Sequence, residues 1–199
     1  IICAHAFNGK GGSTLLSGKD IAKKIKEDAL AWVHLEASDP QTRGWLEKNL
    51  DYLDPIIIDA LLAEETSPRV IEYPEGFLVM LRGVNLNEGA EAEDMVSIRL
   101  WVDQHRIIST RLRRLHAVQD IRDKLASGAG PKNSADFLGV LSGKLLTNME
   151  PVILGLSDKV DEMEETLLEN PDKHHRKELN IVRKRSIMLR RYLAPQREA

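Results

Sequence analysis

Cysteine is almost absent from this chain of 199 residues: Cys3 stands alone, so there is no internal disulfide and no cysteine-rich zinc site. Such usage suits a reducing compartment. Aromatic residues make up only 5%, too few for the stacked, basic platform that holds single-stranded nucleic acid. No run of 18 apolar residues occurs, and the sequence alone therefore predicts no bilayer-spanning segment. The chain opens on Ile1 with no charged leader before its short apolar start, which reads as a piece of a longer protein and not as a secreted precursor.

Catalytic patterns are missing too. There is no Gly-x-Ser-x-Gly elbow and no carboxylate pair with acid–base spacing, so no catalytic residue is assigned and the chain is not read as an enzyme. Asn8-Gly9-Lys10-Gly11-Gly12-Ser13-Thr14 has the residue types of a phosphate loop in the wrong order. Lys10 precedes the paired glycines and no Gly-Lys-Ser/Thr follows them. The stretch reads as a hairpin turn, and no cofactor-binding residue is assigned.

What is present is a composition that can bury a core and stay soluble, with 42% hydrophobic and 30% charged residues. Up to Pro131 the pattern alternates between strand and helix. Ile1–Phe7 and Leu30–Leu35 are apolar runs of strand length; Gly18–Asp28 has helical spacing. Ser38-Asp39-Pro40 is a helix start, and Pro55–Ala63 a second helix. Arg69–Tyr73, Phe77–Val84, Val96–Val102 and Arg106–Arg111 are four strand-like runs, two of their connections being the tight turns Pro74-Glu75-Gly76 and Asp103-Gln104. His116–Ser127 closes the series as a helix. The expected fold is α/β: a layered sheet with an antiparallel meander flanked by helices over residues 1–131. Trp32, Trp45 and Trp101 sit in apolar runs and read as core residues.

Residues 132–199 are expected to be long helices. Asn133–Leu168 is apolar at 138, 141, 145, 149, 152, 156, 160, 163 and 167, one helical face that Pro151 should kink or divide. Asn170-Pro171-Asp172 reads as a stop and restart. Leu179, Val182, Ser186, Leu189 and Leu193 then form a coiled-coil-like seam. The net charge of −3 conceals a split: +7 over residues 173–199 against −10 over 1–172. Glu150–Asp172 has eight acidic residues and one lysine, and Lys173–Arg191 eight basic residues and one glutamate. A helical hairpin whose oppositely charged faces meet accounts for this; a basic arm for nucleic acid or anionic lipid is the other reading.

Six histidines are scattered, with no His-Glu-x-x-His set among them. His174 and Glu178 stand four apart and could share a divalent ion on one helix face, with His175 beside them; these three are the metal candidates. Cys3 and His5 alternate onto one strand face, a weaker two-ligand signal for which burial is the simpler reading.

Taken in order, several stretches resemble the cytoplasmic N-terminal part of CorA-type metal ion transporters, nearest their zinc-transporting branch. They are Trp32-Val33-His34-Leu35, Pro68-Arg69-Val70-Ile71-Glu72, Phe77–Asn87, Met95–Arg111, and Glu178 to Arg197, which looks like the start of that family's stalk helix. The resemblance implies a homopentamer whose long helices line a cytoplasmic funnel, with the α/β domains outside. It implies a divalent cation, Zn2+ in that branch, that is transported or sensed, with no resident cofactor and no nucleic-acid partner. It also implies two following transmembrane helices, the first ending in Gly-Met-Asn; this chain contains neither. The fragment is then expected to be soluble, at the cytoplasmic face of a bacterial inner membrane. A magnesium or cobalt transporter of the same family, or a soluble interaction module with a basic helix, are the alternatives.

Overall fold

Residues 1–169 and 175–199 are described by a computed structural model, except the side chains at 167–169, 175 and 176. Asn8 turns the first strand, β1 (Cys3–Phe7), back on itself: its Oδ1 accepts from the Lys10 and Gly12 amides at 2.8 and 3.0 Å. Gly9 and Gly11 supply the positive φ values of 69° and 97° that this turn requires. The glycine-rich stretch is thus a hairpin turn, and it leads into a short edge strand, β2 (Ser13–Leu15), which the sequence did not announce.

After α1 (Lys19–Lys24) and β3 (Ala31–Glu36) come two helices with the same entry. Asp39 caps α2 (Pro40–Asn49) through Gln41 N–H at 2.9 Å, and Asp54 caps α3 (Pro55–Leu62) through Ile56 N–H at 2.8 Å. In each, proline occupies the first turn, where its missing N–H costs no hydrogen bond. The meander follows as β4 (Arg69–Tyr73), β5 (Gly76–Gly83), β6 (Val96–Val102) and β7 (Arg106–Arg111), then α4 (His116–Ala126). All seven strands form one mixed sheet in the order β2-β1-β3-β7-β6-β5-β4. Its single parallel pair, β3 with β7, joins the N-terminal half to the meander.

Strand alternation sends successive side chains to opposite layers. Leu78, Met80, Trp101, Ile108, Val33 and Leu35 pack against α2 and α3. Trp32, Val79, Leu81, Ile98, Leu100 and Ile107 pack against α4 and the first half of α5 (Ser134–Glu169). Phe137, Leu141 and Leu145 of α5 are buried in that layer, Phe137 lying edge-on to Trp32 at 5.0 Å. The approach of α5 to β5 needs a glycine: a Cβ on Gly83 would stand 2.7 Å from Leu145 Cδ2 and 2.9 Å from Leu115 Cδ1. The last helix is α6 (His175–Glu198).

Two features of α5 bear on the sequence reading. Pro151 does not divide α5, which runs unbroken from Ser134 to Glu169 with the Thr147 carbonyl deprived of its usual donor. And although no unbroken apolar run exists, the stretch Ser134–Thr166 is long and apolar enough to cross a bilayer by length and composition, because Ser, Gly, Thr and Asn are interspersed with its aliphatic residues. Its buried stripe shows instead a helix packed on a sheet along one face, while Leu146, Ile153 and Leu154 are exposed on it.

Candidate functional site on the helical hairpin

The second half of α5 and the whole of α6 form an antiparallel hairpin. Met149 and Leu189 pack with Val84 and Met95 of the sheet's end, flanked by Val152, Leu156, Tyr192 and Leu193. Beyond this cluster the two helices bound a cleft of about 480 Å³ lined by Gly155, Lys159, Glu178, Val182, Arg185 and Glu93.

The described charges of the hairpin pair as follows. Among the described side chains no ion pair joins acidic α5 to basic α6. Lys159 pairs within its own helix, with Glu162 at 2.8 Å. Arg185 reaches past α5 to the acidic loop between β5 and β6, bonding Glu91 at 2.9 Å and standing 3.5 Å from the buried carboxylate of Glu93. The two helices pack as the expected hairpin, and their described contact is mostly aliphatic.

Of the metal candidates, His174 lies outside the described residues and His175 opens α6. Glu178 is exposed in the cleft with Lys159, whose pKa is raised chiefly by its bond to Glu162 and further by Glu178. Among the described residues no three His, Cys, Asp or Glu side chains converge as a metal requires. Cys3 and His5 do share one face of β1, and both are buried. Cys3 stands opposite His34, and His5 stacks on Trp32 with ring centroids 5.5 Å apart. Burial pushes the thiol up to about 11, while His5 is lowered by burial and by Arg122. Arg111 and Arg122 make this a cationic neighbourhood, unsuited to a metal ion.

Sequence reasoning missed the contacts that fasten α6 to the sheet. Gln196 presents its amide to the backbone of Arg82, accepting from the N–H at 2.6 Å and donating to the C=O at 2.9 Å. The Arg82 guanidinium lies 3.9 Å from the Tyr192 ring centroid and donates to the carbonyls of Thr66 and Met95 at 2.8–3.0 Å. Burial lowers its pKa, with Tyr192 opposing the shift. No local signal could have exposed a pairing across 114 residues.

Residues 27–199 match the family described as CorA-like Mg2+ transporter protein. The chain belongs to that family. Among its CorA-like relatives, a protein named divalent cation transporter CmaX from Pseudomonas aeruginosa is 40% identical over 206 residues, which cover 100% of this chain and 60% of CmaX. The zinc transport protein ZntB of Yersinia enterocolitica is 33% identical over 99% of this chain and 59% of its own length. The crystal structure of the ZntB cytoplasmic domain from Vibrio parahaemolyticus superposes with a TM-score of 0.82 at 28% identity, covering 100% of this chain and 76% of that one. The chain therefore has the fold of that domain, and it spans about 60% of the length of the curated relatives it matches.

Proposed function

We propose that this chain is the cytoplasmic domain of a divalent cation transporter, that zinc is the cargo, and that it works within a homopentamer at a bacterial inner membrane. The observation that carries the reading is similarity along this whole chain to 60% of CmaX, together with the shared fold of a ZntB cytoplasmic domain. The chemistry of the hairpin supports it. Asp158, Asp161, Glu164 and Glu165 are exposed on α5, and such a line of carboxylates raises the local concentration of cations through its summed potential. This domain gathers or senses ions, and conduction belongs to membrane segments outside this chain.

His174, His175 and Glu178 are the proposed zinc contacts; a tetrahedral ion there takes its remaining ligands from water or from a second copy. His175→Ala with Glu178→Ala is expected to weaken zinc binding to the chain in calorimetry. Unchanged binding removes these residues from the reading without touching transport. Transport itself is tested with the parent protein in liposomes, measuring entry of zinc, magnesium and cobalt with ion-sensitive dyes. Zinc flux is the expected result. Flux of magnesium or cobalt without zinc selects the sister reading that the family's description favours, and no divalent flux at all overturns the proposal.

A further inference from the structure

The contacts at Arg82 suggest more than fastening. β4 pairs with β5 only as far as Arg69 opposite Met80; the register would put Ser67 opposite Arg82, and Ser67 lies outside the strand. Backbone groups at alternate residues of β5 point the same way, so Arg82 N–H and C=O face the place where β4 has ended. The Gln196 amide fills that place, standing in for a strand residue. Four residues earlier on the same face of α6, Tyr192 covers the guanidinium.

That guanidinium is buried and, among the described residues, makes no salt bridge; backbone carbonyls and one aromatic face surround it, with Glu65 and Asp94 adding attraction from further off. Its donors fix Thr66, just before β4, and Met95, at the end of the loop between β5 and β6. Arg99 secures the neighbouring Ala63 and Glu64 carbonyls, which leaves Thr66 to Arg82. The β5–β6 loop is thus held by α6 twice: at Glu91 and Glu93 by Arg185, and at Met95 through Arg82.

We propose that Arg82 is a coupling residue, through which the seating of α6 on the sheet sets the order of residues 63–66 and of the acidic loop 85–95. When α6 lifts, Arg82 loses the ring over its charge and the amide on its backbone. Water then reaches the guanidinium, and the carbonyls of Thr66 and Met95 lose their fixed donor. The coupling is a property of this chain and stands whatever ion the parent protein carries.

Hydrogen exchange of the 199-residue chain, read by mass spectrometry, tests it. The main variant is Gln196→Ala, because among the described residues the Gln196 side chain bonds only the Arg82 backbone. Its expected effect is faster exchange at 63–66 and 93–96 by roughly two- to ten-fold, the range that loss of a net hydrogen bond supports. Strands β1, β3 and β7 should be unchanged. Tyr192→Phe keeps the ring and is expected to match the parent chain. In an Arg82→Lys background, which loses the planar fork, Gln196→Ala should add nothing at 63–66. Exchange that rises only within α6 overturns the proposal, as does an equal rise with and without Arg82. If Arg82→Lys fails to fold, the Gln196→Ala pattern decides alone.

Discussion

Trp32 and His34 are neighbours in the buried layer under α4, and both use the hydroxyl of Ser109. The indole N–H donates to its Oγ at 2.8 Å, and His34 Nδ1 lies at the same distance. His34 has no exposed surface, and burial, reinforced by Arg111 and Arg122, pulls its pKa down from 6.5 to about 3. The unfolded chain therefore takes up a proton near pH 6.5 that the folded chain refuses until about pH 3. Stability from this residue is full above pH 6.5 and is lost as pH falls toward 3, with a limiting slope of about 1.4 kcal/mol per unit. Urea midpoints at pH 7, 6 and 5 should fall along that slope. His34→Gln, which cannot titrate, should lower stability at pH 7 and flatten the dependence between pH 6.5 and 5. An unchanged slope in the variant assigns the dependence to other groups.

Helix starts are the local devices that decide α2 and α3. Asp54→Ala removes the acceptor from Ile56 N–H while leaving Pro55 in place. A loss of about 1 kcal/mol is expected in chemical denaturation, with Asp54→Asn losing much less. These starts were plain in the sequence because Asp-Pro is a short-range signal. The meander was equally plain: three of its four strands have the bounds their apolar runs gave, and the fourth is shifted by one residue at both ends. Strand β2 was not, since Ser13-Thr14-Leu15 is too short to display an alternation. The parallel register of β3 on β7 was also hidden, because it is chosen by packing between segments more than 70 residues apart. The candidate site divides along the same line. Its helices and opposite charges could be read from periodicity and counts. Its partners, Arg185 with the β5–β6 loop and Gln196 with Arg82, are long-range choices that no spacing encodes.

At the scale of the molecule, the hairpin carries an unusual share of exposed aliphatic surface: Leu146, Ile153, Leu154 and Val160 on α5, and Leu179, Ile181 and Ile187 on α6. These residues are interleaved with carboxylates on one helix and with Arg183, Lys184 and Arg190 on the other, which are not paired to each other among the described side chains. Surfaces of complementary sign with apolar residues between them suit contact between copies, the acidic helix of one against the basic helix of the next. That contact is heterologous, and where the rotation between copies closes, its repetition makes a ring, the form of the homopentamer proposed above. Sedimentation of the chain should then reveal association that weakens as salt rises from 0.05 to 0.5 M, over which the Debye length shrinks from about 14 to 4 Å. Ile187→Lys should leave the fold intact, since the side chain is 58% exposed, yet reduce association at every salt concentration by removing apolar contact. Reversing charge on the acidic side, Asp158→Lys with Glu165→Lys, should reduce it most at low salt. Association indifferent to both changes would place the contact between copies elsewhere on the molecule and leave the hairpin as an arm for another partner.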